Sequence, residues 1–361
     1  MSKTKIKISI ITPFFKGNPY MPTFRAMILR NAETIQKSDL ADALTFEVVM
    51  VNDSPGEEVM FWEVQKGNQD LSISGTVEDA GGPSVSDSEK DGLTSGNNEI
   101  GKIFQFKLVQ NRENQGIQRS RIHGLKEASG EYIVFLDQDD VLSDNAILCF
   151  GEAALHSSDH KKPFIYVANA ILEQKDWKSL WYRTDYHKKQ VGNRATYLNI
   201  GTQIISPGQC LIPRKWIPDF WMTHPLTKNG ADDYFLWILL LEAGVEFRYI
   251  DQALYIHHYT SKNLSGDTRL TDQSTYEFID LIHMELESSQ LDLYPIGKGL
   301  YLPARQTIRD LKKLKRMMTF KADFRQGSKA CKVKQILNHP CLFLQNIIFK
   351  VRSKTGYGFN R

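Results

Sequence analysis

The sequence predicts an α/β fold with a mostly parallel central sheet flanked by helices. Four short runs of β-branched and aromatic residues, at 8–12, 46–51, 104–110 and 132–136, are typical of buried strands. Segments 21–38 and 114–130, each between two of these strands, carry apolar residues at helical spacing. This order of strands and helices favours right-handed crossovers and parallel pairing. Ligands of such sheets bind beyond the carboxyl ends of the strands.

The composition is that of an ordinary globular protein. Of the 361 residues, 41% are hydrophobic and 24% are charged, and the formal net charge is +3. The cysteines are widely scattered and form no CxxC pair, which favours a reducing compartment. No signal-peptide pattern is present near residue 1, and the longest apolar run, 235–241, is too short to cross a bilayer. We therefore expect a cytoplasmic protein.

The pattern of the chain predicts a main domain at 1–270 and a helical, basic extension at 271–361. Residues 72–102 are rich in Gly, Ser, Asp and Asn, which predicts a flexible insertion in the main domain. Over residues 305–361, fifteen Lys and Arg stand against Asp310 and Asp323. Basic helices that also carry Leu, Ile, Met and Phe suit an anionic membrane surface, here the inner face of the cell membrane. The other interpretation is a solvated basic face that packs on the main domain.

Carboxylates cluster at the end of one predicted strand. In "GEYIVFLDQDD", at 130–140, the apolar run is followed by Asp137, Asp139 and Asp140, and Asp53 follows the strand at 46–51. Oxygen ligands at a strand end suit Mg²⁺ or Mn²⁺ shared with substrate phosphates. The structural alternative is a helix start capped by Asp144 or its neighbour, with Asp140 in the same turn. That alternative does not account for Asp137 and Asp139.

The sequence resembles the family 2 inverting glycosyltransferases of bacterial polysaccharide assembly, which have the nucleotide-sugar-binding fold called GT-A. The likeness is carried by "ISIITPFF" at 8–15, "FEVVMVNDS" at 46–54, "NRENQGIQRSRIHGLKEASGEYIVFLDQDD" at 111–140 and "NGADDYFLW" at 229–237. These four stretches follow one another in the family's order. The resemblance implies a GT-A domain with the basic helical extension behind it.

The resemblance also implies which residues bind the donor nucleotide. Asp53 matches the aspartate that binds the base and ribose, and Thr12 and Phe14 match neighbours that line the base pocket. Asp137 matches the first aspartate of the DxD motif, near the ribose, and Arg121 matches an arginine on the donor side. Two positions depart from the family pattern: Asn52 replaces the first aspartate of a "DDGS" pair, and Ile122 replaces an asparagine.

The metal and the catalytic base follow from the same resemblance. Asp139 matches the aspartate that holds the divalent metal, and His257 or His258 could complete the metal shell or contact the diphosphate. Asp233 matches the catalytic base, with Asp232 as the second choice. A base on the acceptor hydroxyl and a Lewis acid on the leaving diphosphate suit direct displacement with inversion. The structural alternative for Asp232 and Asp233 is helix capping.

The expected function is transfer of a sugar from a nucleotide-diphosphate donor to a hydroxyl of a glycan or lipid-linked acceptor. Capsule, exopolysaccharide or cell-wall polymer synthesis is the setting that the resemblance implies. The absence of GxGxxG and GxxxxGK[ST] loops excludes a nicotinamide dehydrogenase and a P-loop enzyme. Two alternatives stay open: a sugar nucleotidyl or phosphosugar transferase, and a non-catalytic partner subunit of a glycosyltransferase pair. No nucleic-acid partner is expected, because the basic residues of the extension come with aliphatic rather than base-stacking neighbours.

Overall fold

A computed structural model describes residues 5–61, 75–79, 100–156, 162–174, 177–258 and 268–354. Most of the predicted insertion at 72–102 therefore lies outside the described residues. Backbone contacts divide the chain into two compact units that are each assembled from separate stretches. The first unit comprises Met1–His160, Pro207–Arg214 and Ala253–His258, and the second comprises Lys161–Ser206, Lys215–Gln252 and Tyr259–Arg361. The domain boundary expected near residue 270 stays a prediction.

The strands and α-helices alternate over the first part of the chain, and helices dominate the last part. The strands are β1 (Ile6–Phe14), β2 (Leu44–Asn52), β3 (Gly75–Asp79), β4 (Phe104–Gln110), β5 (Tyr132–Phe135), β6 (Val141–Leu142), β7 (Phe164–Gln174), β8 (Trp177–Leu180), β9 (Cys210–Pro213), β10 (Glu246–His258), β11 (Leu293–Gly297) and β12 (Leu300–Pro303). The helices are α1 (Met21–Gln36), α2 (Ile100–Ile103), α3 (Ile117–Glu127), α4 (Ala146–Leu155), α5 (Asp185–Lys188), α6 (Arg194–Asn199), α7 (Asp219–Thr223), α8 (Asp232–Glu242), α9 (Thr268–Ser289), α10 (Ala304–Gln326), α11 (Lys329–Asn338) and α12 (Pro340–Lys354).

The first unit is built on a sheet with the strand order β3–β4–β2–β1–β5–β9. The first five strands of this order are parallel to their neighbours, and β9 joins β5 antiparallel. The predicted strands at 8–12, 46–51, 104–110 and 132–136 are confirmed as β1, β2, β4 and β5. β1 and β2 are buried almost along their whole length, as expected for strands with both faces covered.

Helix α3 approaches this sheet closely because its sequence has a glycine at the contact. A Cβ atom at Gly124 would lie 2.5 Å from Ile11 Cγ2 and 3.0 Å from Val51 Cγ2. Any side chain at this position would push the helix off β1 and β2. The close packing sets the distance of α3, which carries Arg121, from β1 and β2.

The second unit contains the C-terminal helices, the β7–β8 hairpin, most of β10 and the β11–β12 hairpin. The apolar run at 235–241 lies in α8, which is buried along nearly all of its length. A helix that is apolar on every side belongs in a core, and α8 packs against α6, α7 and α9 there. Within the described ranges, no helix is both long and apolar enough to cross a bilayer.

An ionic cluster around two buried carboxylates, Glu242 and Asp310, links α6, α8 and α10 within the second unit. Arg194 lies 3.6 Å from Glu242 and 3.2 Å from Asp310, both measured between side-chain nitrogen and oxygen. Thr307 Oγ1 donates to Glu242 Oε2 at 3.0 Å, and Lys313 Nζ lies 2.8 Å from Asp310 Oδ1. Burial raises the pKa of Glu242 to about 7, against the lowering charge of Arg194. Glu242 is therefore held close to its own titration at neutral pH.

Candidate active site

The carboxyl ends of β1, β2 and β5 meet at one edge of the first unit's sheet. Phe14 pairs with Asn52, and the Asp53 backbone N–H donates to the Phe14 carbonyl oxygen at 2.7 Å. On the other side of β1, the Leu136 N–H donates to the Ile11 carbonyl oxygen at 3.0 Å. The parallel order thus brings the polar residues after all three strands to the same edge. We call this region the strand-end site; its residues are Thr12, Phe14, Asp53, Arg121, Asp137, Gln138, Asp139, Asp140, His257 and His258.

Asp53 is buried and holds the start of α3. Its Oδ1 accepts hydrogen bonds from Asn111 Nδ2 at 2.8 Å and from the Gln115 N–H at 2.7 Å, and its Oδ2 accepts from the Gly116 N–H at 2.9 Å. Gly116 has a φ of +81°, a conformation that other residues rarely adopt. Two carboxylate oxygens accept about four hydrogen bonds in all, so Asp53 keeps capacity on Oδ2 for a ligand donor such as a base N–H or a ribose hydroxyl.

Asn52 uses its amide in a way that an aspartate could not. Its Nδ2 donates to the Glu57 carbonyl oxygen at 2.7 Å and to Gln110 Oε1 at 3.0 Å. Its Oδ1 accepts from the Ser54 N–H at 2.9 Å. The departure from the "DDGS" pattern therefore supplies two donors that tie the loop after β2 to itself and to the end of β4.

A nearly buried ion pair joins α3 to the loop after β5. Arg121 Nη2 lies 2.5 Å from Asp137 Oδ1, and the side chain of Arg121 is only 3% exposed. Such a pair is shielded from solvent screening, so it positions both partners more firmly than a surface pair would. The other departure from the family pattern, Ile122, has an apolar side chain that is buried in the core, where it is 6% exposed.

Asp140 is fastened to the end of β10. Its carboxylate accepts from the Tyr255 hydroxyl and lies 3.2 Å from His257 Nδ1, measured at Oδ1. Burial would lower the pKa of His257, but the hydrogen bond and charge of Asp140 outweigh burial and raise it. A carboxylate on one ring nitrogen is the arrangement that commonly orients a histidine toward a metal. His258, half-buried, is the last described residue before 259–267.

Asp139 lies between the other two carboxylates of the motif. Burial, followed by the charges of Asp140 and Asp137, raises its pKa to about 6. Crowding of this kind is relieved by a divalent cation, so the residues fit an Mg²⁺ or Mn²⁺ site. Among the residues that the structure describes, no three His, Cys, Asp or Glu side chains converge as a ligand group. Asp139 could thus offer a carboxylate, and donor phosphates and water would complete the shell.

Gln138 connects two loops of the strand-end site, and the sequence did not single it out. Its Oε1 accepts from the Phe15 N–H at 2.9 Å, and its Nε2 donates to the Phe15 carbonyl oxygen at 2.8 Å. The Gln138 side chain thereby holds the loop after β1 against the loop after β5. A Cβ atom at Gly17 would lie 2.0 Å from Gln138 Oε1, so this contact also needs the glycine. Phe15 and Gln138 are 123 residues apart in the sequence, so no local sequence pattern predicts this contact.

Thr12 and Phe14 lie in β1 at the base of the site. The Thr12 Oγ1 atom is buried and has no hydrogen-bond partner among the described residues. A buried hydroxyl without a partner is costly, and a polar ligand group above β1 would satisfy it. The Phe14 side chain is fully buried, and the adjacent Phe15 is 45% exposed with Lys16 Nζ at 5.3 Å from its ring centre.

Asp232 and Asp233 form the first turn of α8 in the second unit. Asp232 is 3% exposed, and its carbonyl oxygen accepts from Trp221 Nε1 at 2.8 Å. Asp233 is half-buried, and its Oδ1 accepts from the Tyr234 N–H at 2.6 Å. The greater access of Asp233 makes it the better candidate to take a proton from a bound hydroxyl.

The chain has the GT-A fold, as comparison with solved structures shows. The Staphylococcus aureus protein TarS, residues 1–349 in complex with UDP-GlcNAc, has the same fold, with a TM-score of 0.53 and 15% identity over 96% of this chain and 83% of that one. A mannosyltransferase from Pyrobaculum calidifontis, in complex with GDP-Man and Mn²⁺, aligns at a TM-score of 0.46 and 12% identity over 97% of this chain and 84% of that one. No curated protein matches the chain by sequence.

The family model described as Glycosyl transferase family 2 matches residues 84–221. This stretch contains Arg121 and the three carboxylates of the "DQDD" motif. The GT-A fold that the resemblance implied is confirmed by the structural match, and the family 2 model matches the part of the chain that carries the "DQDD" motif.

Proposed function

We propose that this enzyme transfers a sugar from a nucleotide-diphosphate donor to an acceptor hydroxyl, with inversion and with a divalent metal. The observation that carries the proposal is that Asp53 follows β2 and that Asp137 and Asp139 follow β5, the two strands that flank β1 in the parallel part of the sheet. Asp53 retains acceptor capacity for the nucleotide, and Asp139 is a half-buried carboxylate whose crowding a cation would relieve. Both features suit a nucleoside diphosphate better than a ligand without phosphates.

The donor would bind along the strand-end site. Asp53 would accept from the base or ribose, and Thr12 Oγ1 would bond a polar group of the nucleotide above β1. Asp137, held by Arg121, would face the ribose. Gln138 keeps the two loops around the donor at a fixed separation, which preorganises the pocket and lowers the cost of ordering it on binding.

Asp139 would hold Mn²⁺ or Mg²⁺, with His257 or His258 as further ligands or diphosphate contacts. A bound divalent cation would supply Lewis-acid stabilisation of the negative charge on the departing nucleoside diphosphate. Asp140 keeps His257 oriented, which is a positioning role.

Asp233 would accept the proton of the acceptor hydroxyl, and Asp232 is the second choice. As the acceptor oxygen bonds to the anomeric carbon, the bond from that carbon to the diphosphate oxygen breaks. Attack from the face opposite the leaving group inverts the anomeric centre in a single step. No covalent sugar–enzyme intermediate is needed.

The acceptor would be a glycan or a lipid-linked glycan in capsule, exopolysaccharide or cell-wall polymer synthesis, at the inner face of the cell membrane. The C-terminal helices support this setting. α11 and α12 expose Leu337 and Leu344, which are 74% and 57% accessible, among several Lys and Arg. Exposed apolar residues with interspersed basic ones suit binding to an anionic bilayer surface.

Donor turnover with a panel of nucleotide sugars tests the proposal. UDP, GDP, CMP and dTDP sugars are each incubated with the enzyme and Mn²⁺ or Mg²⁺, and release of the nucleotide is measured. We expect release from one nucleotide class, loss of release in excess EDTA, and recovery when the metal is restored. Nucleotide release that persists unchanged in EDTA would contradict the proposed requirement for a metal. No nucleotide release from any donor would favour a non-catalytic partner subunit.

A further inference from the structure

The second unit contains a cavity of about 540 Å³ that the proposed reaction does not use. It lies between the segment 181–187, the C-terminal half of α10 and helix α12. Its volume falls within the range of small-molecule sites, about 300–1,000 Å³. Its walls are mostly apolar, formed by Trp181, Phe320, Phe324, Phe343, Ile347 and Phe349.

The aromatic rings that line the cavity pack against one another and form a continuous, mostly apolar surface. His187 meets Trp181 and Phe349 edge-on, at ring-centre distances of 5.2 and 5.5 Å. Burial lowers the pKa of His187 to about 4, so the imidazole is uncharged at neutral pH. Phe324 lies 6.1 Å from Phe343, which continues the aromatic surface between α10 and α12. A ligand that fills this space must present an apolar body.

Most of the remaining lining residues are basic, and Asn346 also lines the cavity. Five basic residues line the cavity: Arg183, Lys321, Arg325, Lys350 and Lys354. In the part of the chain that the structure describes, no Asp or Glu is among the lining residues. Arg325 bonds Asp272 from outside the cavity, so its charge is partly offset. Burial, and then the charge of Arg325, lowers the pKa of Lys321 to about 8, an environment that a bound anion would relieve.

Ser353 adds a polar group to the same cavity. The residue is 7% exposed, and its Oγ atom has no hydrogen-bond partner among the described residues. A buried hydroxyl of this kind can donate to an anionic oxygen. Sugars and nucleotides would find few hydrogen-bond partners on the aromatic walls, which disfavours them as occupants.

We propose that this cavity binds a single-chain lipid phosphate, with the apolar chain against the aromatic walls and the phosphate among Lys321, Lys350 and Ser353. The ligand class follows from charge complementarity at the rim and from the apolar interior. The inference does not depend on the donor site of the first unit. The chain of such a lipid can be an acyl chain or an isoprenoid.

The test is calorimetric titration of the full-length protein with dodecyl phosphate below its micelle concentration. We expect one ligand per chain, bound at least about tenfold more tightly than inorganic phosphate or a nonionic dodecyl ether. Farnesyl phosphate and lysophosphatidic acid are then used as competitors, and displacement by either identifies the chain type. The absence of binding, equal affinity for the nonionic ether, or no displacement by either competitor would overturn the proposal.

Two pairs of variants locate the site. Ile347 lines the cavity and Ile348 does not, although they are 43% and 41% exposed on the same helix. We expect Ile347→Glu to weaken dodecyl phosphate binding at least about tenfold and Ile348→Glu to leave it unchanged. Lys350→Glu, at the rim, should weaken binding, whereas Lys334→Glu, on exposed α11, should not. Equal effects within either pair would show that the lipid binds elsewhere.

Discussion

Both polar atoms of the Asn52 amide are engaged at the end of β2. Its two donor bonds, to the Glu57 carbonyl oxygen and Gln110 Oε1, would become contacts between oxygen atoms in Asn52→Asp. The new carboxylate would also be buried, since Asn52 is 1% exposed. We expect Asn52→Asp to lower the free energy of unfolding by about 2 kcal/mol at neutral pH, measured by urea denaturation.

The matched control is Asn114→Asp, because Asn114 is exposed and accepts a bond from the Gly116 N–H at 3.1 Å through Oδ1. An aspartate can accept the same bond, so the control should change stability by less than about 0.5 kcal/mol. Equal stabilities of the two variants would show that the Asn52 donor bonds do not matter.

The sequence predicted residues of the strand-end site only where they belong to a recognisable motif. Asp53, Asp137 and Asp139 stand directly after strands, and strand ends are where α/β sheets bind ligands. Gln138 and the Asn52 bonds were not predictable, because their partners, Phe15 and Gln110, are distant in sequence.

At the scale of elements, the ionic cluster of α6, α8 and α10 makes the stability of the second unit depend on pH. The folded pKa of Glu242, about 7, lies above the ordinary value near 4.5. The folded protein therefore retains a proton that the unfolded chain releases as pH rises through this window. Stability should fall by up to about 3 kcal/mol from pH 4.5 to pH 7 through this group and then level off.

Glu242→Gln tests this because the variant cannot titrate. We expect the parent protein to lose more stability than Glu242→Gln between pH 5 and pH 8, measured as the difference in unfolding free energy at each pH. The difference between the two proteins cancels the contributions of other titrating groups to the pH dependence of stability. One of these is buried His187, whose lowered pKa makes stability rise rather than fall with pH, at lower pH. Parallel stability profiles of parent and variant would contradict the shifted pKa of Glu242.

Elements with a strong local pattern were predictable, and those that depend on distant pairing were not. β1, β2, β4 and β5 are short apolar runs between turn residues, so their strand character is local. β9 is only four residues long and joins the sheet through β5, from which it is far removed in sequence. β3 falls within the stretch predicted as a flexible insertion, and its backbone pairs with β4.

At the scale of the whole molecule, the C-terminal helices are the part proposed to contact a bilayer. Leu337→Glu combined with Leu344→Glu should reduce binding to phosphatidylglycerol vesicles at least about fivefold, because two apolar anchors become negative charges. The control combines Leu291→Glu with Leu293→Glu, at positions that are 49% and 60% exposed outside these helices. Co-sedimentation measures the bound fraction, and raised salt should weaken the binding of the parent.

Equal loss of binding in both double variants would point to a general charge effect rather than to α11 and α12. Binding to neutral phosphatidylcholine vesicles that matches binding to anionic ones would also contradict the proposed role of the basic residues.

In the proposed reaction, the enzyme binds a nucleotide sugar through Asp139 and activates the acceptor through Asp233. The most direct measurement is donor affinity and turnover in parallel for Asp139→Asn and Asp233→Asn, with Asp144→Asn as an exposed carboxylate control. We expect Asp139→Asn to lose metal-dependent donor affinity and turnover together. Asp233→Asn should keep donor affinity within about threefold and lose turnover by at least about a hundredfold. Undiminished metal-dependent donor affinity in Asp139→Asn would contradict the proposed metal-binding role of Asp139. Near-parental turnover in Asp233→Asn would contradict the proposed role of Asp233 as the base.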